Sequence, residues 1–383
     1  MTFRSKEFSL LLLCLLFSLP LKAQNAAIDS LLRKIALTQR SFADSFYRAG
    51  MIPSQRIYLK KKNYIREDDN IFFTGLTVWT LRTHREKLSE ENKKRVDSLC
   101  SAAVRNYQFY RNKKGECSYN FWQTNPDKHF PNDHYFSSRK KYALPDDLDD
   151  SAVLYLSDPP SDSLKRKLKE KMVLHANTNN GKIIRSTFRR YKHRKAYNTW
   201  FGKNMPLEFD INVQCNALRW VLDNKFELNE YDRETIRLIQ DIVLADEHLR
   251  FPAYVSPQYQ NATIILYHLS RLVAAYPEQF PRIKEKLITD LEKKWKLTKV
   301  PMEKLLLNSS FARLGIPQKE MATISKKDFD HFYFFVANMS SSQPNPLKRW
   351  LASSKRTNFY YRSEGYYWAL LLENACLNLD SQD

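Results

Sequence analysis

The chain has 383 residues, a formal net charge of +20 and seven glycines, where average usage of about 7% would give roughly 27. Scarce glycine excludes a β-rich fold with many tight turns, and 43% hydrophobic residues suffice for a substantial core. Beyond the N-terminus no run of about 18 apolar residues exists to span a membrane, and no GxSxG, HExxH, CxxC or phosphate-loop pattern occurs.

Arg4 and Lys6 precede the short apolar run 10–17, and Leu21-Lys22-Ala23 reads as a cleavage site before Gln24. These features predict a signal peptide over 1–23 and an exported protein, periplasmic or secreted; an uncleaved anchor is the alternative. Cleavage would remove three basic residues and one acidic, leaving +18. Such a charge suits anionic surroundings, a membrane surface or an acidic glycan, and no nucleic-acid partner is expected outside the cytosol. Export permits disulfides among Cys100, Cys117, Cys215 and Cys376, with three pairings open; Cys215 lies in an apolar helical pattern and reads as buried and free.

In chain order, 26–37 reads as an amphipathic helix. The segment 71–81 reads as a strongly apolar one. Ser89 can cap a helix whose face carries Val96, Leu99, Cys100, Ala103 and Val104. Residues 111–145 form a long loop rich in aromatics, among them Phe121, Trp122, Phe130, Tyr135, Phe136 and Tyr142. Asp147 or Asp149 can cap the next helix, followed by a lysine-rich helix over 161–175. The basic–aromatic run 185–195 is either a solvated face or a binding patch. A second unusual segment, 197–212, leads into a helix over 213–223. Asp232 is expected to cap a helix over 234–246, and Ser256-Pro257 to start another. Further helices are expected at 278–296, 301–314, 327–338 and 363–378. The helices arrive mostly in pairs, and no composition shift divides the chain.

The densest chemistry is Asp146-Asp147-Leu148-Asp149-Asp150-Ser151-Ala152, a carboxylate cluster at a helix mouth. Its part Asp147–Ala152 resembles the D-x-D-D-T-A motif of squalene–hopene cyclases and related class II terpene cyclases, with Ser151 for Thr. The paired helices and aromatic content are similar to the α/α-toroid shared by terpene cyclases and protein prenyltransferases. No Gly-x-Trp element of those cyclases accompanies the motif. The resemblance implies an all-α fold, a single α/α-toroid over 24–383 with 24–65 as an N-terminal extension packed on it. It also implies that Asp149 protonates an alkene, with Asp147 and Asp150 beside it, on an isoprenoid or other apolar ligand. Asp146–Asp150 also matches D-D-x-x-D, a magnesium motif of class I terpene synthases, but no second metal motif follows, and neither a metal nor a cofactor is expected.

Alkene protonation needs a carboxyl that keeps its proton near neutrality. Adjacent carboxylates and burial favour this, and a helix N-terminus opposes it. Aromatic faces would stabilise the cation formed. The expected ligand-binding residues are Trp122, Tyr135, Trp200, Asp210, Asn212 and Asn216, drawn from the two unusual segments. Asn132-Asp133-His134-Tyr135 offers an acid–base pair for a carbohydrate-directed toroid, the second reading. A non-catalytic scaffold of the same fold is the third. The plain alternative for the acidic stretch is a helix cap facing Arg139, Lys140 or Lys141.

Overall fold

The computed structural model describes residues 25–61, 64–126, 128, 143–202, 205–337, 347 and 358–379. The expected signal peptide and, within the aromatic loop, residues 127 and 129–142, which include His134, Tyr135 and Arg139–Lys141, lie outside the described residues.

Two kinds of helix alternate along the chain. Helix α2 (Phe72–His84) buries almost every side chain it has, as an apolar-all-round sequence requires. Helix α3 (Glu90–Val104), capped by Ser89 as expected, buries only the stripe Asn92, Val96, Cys100 and Ala103. The same contrast separates α4 (Leu148–Ser157) from α5 (Asp162–His175), whose buried stripe is Leu168, Lys169 and Met172. The helices α6 (Ile211–Asp223) and α7 (Glu230–Leu244) follow, then the short α8 (Glu247–Arg250) and α9 (Pro252–Val255). After them come α10 (Ala262–Ala275), α11 (Lys284–Leu297), α12 (Pro301–Arg313), α13 (Lys326–Phe329) and α14 (Glu364–Leu379). The first helix, α1 (25–38), turns Ile28, Leu32 and Ile35 inward and lays Lys34 over the Trp368 ring of α14.

The deeply buried helices touch in cyclic order. Helix α2 packs on α4, α4 on α6, α6 on α10, α10 on α12, α12 on α14, and α14 returns to α2. The one-stripe helices sit behind them, α3 on α2, α7 on α6, and α11 against both α10 and α12.

An all-α fold is corrected by a four-stranded antiparallel sheet in the order β2-β1-β4-β3. Its strands are β1 (Ser54–Ile57), β2 (Ile65–Asp68), β3 (Phe335–Ala337) and β4 (Phe359–Arg362). The expected helix over 327–338 shrinks to α13, and its end becomes β3. Residues 54–57 of the segment 24–65 join this sheet, since Gln55, Arg56 and Ile57 pair with Arg362, Tyr361 and Tyr360. The expected start at Ser256-Pro257 is also corrected: α10 begins after Asn261, whose side chain accepts from Thr263 N. Asp232 is not the cap of α7; Asn229 is, with Asp232 completing a reciprocal capping box. Cys100, Cys117, Cys215 and Cys376 are free and buried.

The segments that enter the ring helices are stitched together. Phe121 O accepts from Ile71 N, Tyr119 bridges to Asp147, and Asp147 bridges to Trp200. Thr199 N donates to Glu208 O, the Gln258 backbone N–H donates to Asp210, and Val336 N donates to Gln258 O. Val336 belongs to the sheet, which returns through β4 and β1 to β2, just before α2. This belt gathers the N-termini of α2, α4, α6 and α10 at one end of the helix ring.

The run 185–195 is explained by packing. Arg190 pairs with Glu247, Arg194 with Glu234 and Asp241, and Lys195 with Glu230, which fastens the segment onto α7 and α8.

Candidate functional site

The acidic stretch lies inside the mouth of the ring. Asp147, Asp149 and Asp150 are 5%, 5% and 2% exposed, so these carboxyls are withdrawn from solvent. Asp147 is the N-cap of α4, its Oδ1 accepting from Asp150 N at 2.8 Å. Asp suits this position because its carboxyl satisfies a first-turn N–H that would otherwise have no acceptor. Ser151 donates to Asp147 O at 2.6 Å and accepts from Tyr119 N at 2.9 Å, tying the helix to the belt.

Asp149 faces across the ring. Asn216 Nδ2 of α6 donates to its Oδ1 at 2.7 Å, and the Tyr259 hydroxyl donates to its Oδ2 at 2.5 Å. Asn216 Oδ1 accepts from Arg271 Nη2 at 2.8 Å, and that guanidinium lies 3.9 Å from the centre of the Trp79 ring. Asp150 donates its backbone N–H to Asp147, and its own Oδ1 is buried with no partner among the described residues. Asp146 turns away, accepting from Asn112 and Ser118 with Lys171 at 3.9 Å. The D-D-x-x-D carboxyls therefore diverge, and among the described residues no three His, Cys, Asp or Glu side chains are arranged to hold a metal ion.

Burial pushes the Asp149 carboxyl up to about 6, against the pull of its Asn216 and Tyr259 donors. Burial also pushes Asp147 up to about 7, opposed by the hydrogen bond it accepts from Asp150 N. Asp150 rises well above the usual carboxylate range, first through burial and then through the negative charge of Asp147.

Of the expected ligand-binding residues, Trp200, Trp122, Asp210, Asn212 and Asn216 are all buried near these ring-helix N-termini. Trp200 Nε1 donates to Glu208 at 3.2 Å, and Trp122 Nε1 donates to Asp68 at 2.9 Å. Asp210 caps α6 and accepts from Ser256 Oγ at 2.7 Å and Gln258 N at 2.8 Å; burial pushes it up to about 8. Asn212 is fully buried, with neither amide atom partnered among the described residues. Asn216 contacts Asp149 itself. Tyr135 lies outside the described residues.

Phe72, Trp122, Trp200, Asp147, Asp149 and Asp150 are among the side chains that line a cavity of about 30 Å³. That is room for about one water molecule. Leu144 also borders a wider surface groove of about 1220 Å³, lined by Arg111, Lys114, Lys167, Lys171 and Phe201 among others. Sequence reasoning missed Tyr259 and Arg271. Asn261, read as the cap it is, would have put Tyr259 in the belt, two residues before the cap of a ring helix. No protein-family model, curated protein or solved structure matches the chain.

Proposed function

We propose that the helix ring is a single α/α-toroid and that its mouth is a proton-donating site for an apolar ligand of the isoprenoid kind. The observation that carries this reading is the burial of the Asp147, Asp149 and Asp150 carboxyls among aromatic rings at one helix N-terminus. A neutral carboxyl donates a proton to a carbon–carbon double bond, and the faces of Trp122, Trp200 and Phe72 stabilise the carbocation that results. A cavity of about 30 Å³ requires those aromatic side chains to swing aside as the ligand enters. The +18 charge expected after signal-peptide cleavage near Ala23 would hold the exported protein at an anionic membrane surface, where apolar ligands are found.

The test is incubation with polyprenyl hydrocarbons in heavy water, followed by mass spectrometry of the extracted lipid. Carbon-bound deuterium should appear with the wild-type chain and be lost when Asp147, Asp149 and Asp150 are all replaced by Asn. No incorporation by the wild-type chain would contradict the reading and leave the non-catalytic scaffold, which the small cavity also suits. A second reading, an acidic-glycan site, is favoured by the groove of about 1220 Å³ with its five Lys and Arg side chains and Phe201. Binding of a polyuronate that is lost in Lys114→Glu/Lys167→Glu would support it; unchanged binding would not.

A further inference from the structure

We infer that the end of the ring where the helix N-termini gather is a docking surface for an anionic lipid bilayer. The inference deepens the membrane part of the proposed function: it names the face that meets the lipid and the side chains that hold it there.

Leu37, Leu59, Ile65, Leu174, Phe251 and Leu297 are large hydrophobics between 42% and 85% exposed. All six lie at this end. Leu59 follows β1 and Ile65 opens β2, both in the sheet that closes the belt. Leu37 borders a surface groove with Gln55 of β1 and Gly365 at the start of α14. Leu174 borders the wide groove with Leu144, Asp146 and Phe201. Phe251 precedes α9, after which Ser256 donates to Asp210, the cap of α6. Leu297 ends α11, and Thr298 beside it donates to Glu303, which accepts from Asn261 and Thr263 at the start of α10.

The opposite end is built differently. Its short connections 85–89, 158–161, 224–229 and 276–283 carry none of the large exposed hydrophobics among the described residues. Leu88 and Phe280 on those connections are buried. The side chains exposed there include the carboxylates of Glu86, Glu90, Glu91 and Asp162. A single exposed Leu or Phe is ordinary on any protein surface, but confinement of such residues to one end marks a site of interaction.

Charge names the partner. Exposed basic residues adjoin the apolar ones: Lys60 and Lys61 follow Leu59, Arg66 follows Ile65, Arg250 precedes Phe251, and Lys296 and Lys299 flank Leu297. None of these six forms an ion pair among the described residues. At the other end Lys93 and Lys165 do, with Glu90 and Asp162. Helix dipoles account for lysines at the end of an outer helix such as α11, but not for Lys60, Lys61 and Arg66, which stand on a turn and a strand. Apolar tips beside lysine and arginine suit a bilayer surface, where the tips enter the acyl boundary and the cations meet phosphates. Tips spread around a whole ring end fit an extended, yielding surface better than one protein epitope. The exposed carboxylates opposite are repelled by the same lipid, so the molecule lands mouth first. The cavity lined by Phe72, Trp122 and Trp200 lies at this end, so an apolar ligand reaches it from the bilayer without crossing water.

The test reads orientation. In a Cys14→Ser background the other four cysteines are buried, so an environment-sensitive thiol fluorophore reports only on Leu59→Cys, Leu297→Cys or Lys94→Cys. Phosphatidylglycerol vesicles should shift the emission at 59 and 297 to the blue and leave 94 unchanged. Phosphatidylcholine vesicles should shift none of them. Lys60→Gln/Lys61→Gln should raise the lipid concentration needed for the shift at 297 about twentyfold, from roughly fivefold per basic residue. Lys94→Gln/Lys225→Gln, the same loss of charge at the opposite end, should leave it unchanged. Equal effects of the two pairs would mean that net charge and not this face drives binding, which overturns the inference. A shift at 94 equal to that at 59 overturns it too. No shift at any position also does so, and leaves the rim to a protein partner. Deuterium transfer without the shifts refutes docking alone; shifts without transfer leave docking in place and remove the acid-site reading.

Discussion

Tyr259 donates one of the two side-chain hydrogen bonds that Asp149 accepts, and that bond favours the ionised form. Tyr259→Phe should therefore raise the Asp149 ionisation above its present value of about 6. The same change should cost about 1 kcal/mol of stability in a urea titration at neutral pH. An unchanged ionisation would mean that the phenol is not Asp149's partner. The acidic cluster and its cap were legible because capping is local: Asp147 acts on a backbone N–H three residues away. Tyr259 was not legible, because it lies 110 residues from Asp149 and only ring closure brings the two together. Asn216, named among the expected ligand-binding residues, is one that touches Asp149.

Between elements, the contact of α2 on α4 depends on Gly75. A Cβ there would meet Leu154 Cδ2 at 2.7 Å and Val153 Cγ1 at 3.2 Å, both on fully buried side chains. Gly75→Ala gains about 0.5–1 kcal/mol of helix propensity but overpacks at a cost of about 1–3 kcal/mol. The crowding should win, with a net loss of about 1 kcal/mol that lowers the urea midpoint. A gain in stability would show that α2 and α4 have slack between them. Helix pairs were readable because apolar-all-round segments such as α2 alternate with one-stripe segments such as α3. The strands were not, because β1 and β4 have four residues each and pair across the length of the chain, as Gln55 does with Arg362. Four residues carry no usable periodicity, and residues 335–337 were absorbed into a neighbouring helical pattern. Proline misled at Ser256-Pro257, where it shapes the belt before α10 rather than the helix itself.

Over the whole molecule, buried carboxyls make stability depend on pH in an unusual direction. Asp147, Asp149 and Asp210 have folded-state values of about 7, 6 and 8 against an ordinary 3.8, so the folded chain holds protons that the unfolded chain has lost. Their stabilisation is complete below about pH 4 and disappears as pH rises through 6 to 8. For Asp149 alone the shift corresponds to about 3 kcal/mol as an order of magnitude. Glu373 acts on the other flank. Burial pushes it up, but Arg313 and His84 outweigh burial and hold it at about 2, so its contribution is lost only as pH falls from 4.5 towards that value. In moderate salt, which screens the net positive charge, Tm should rise as pH is lowered from 8 to 5. A Tm that is flat or increases with pH across that range would remove the buried acids from the account.

The most direct test of protons retained by buried carboxyls is to count them when the fold is lost. Unfolding the chain with denaturant at pH 7 in weak buffer, with an indicator dye to follow proton release, should liberate about one to two protons per chain. No release, or net uptake, would mean that the carboxyls at the mouth of the ring are already ionised and cannot act as acids.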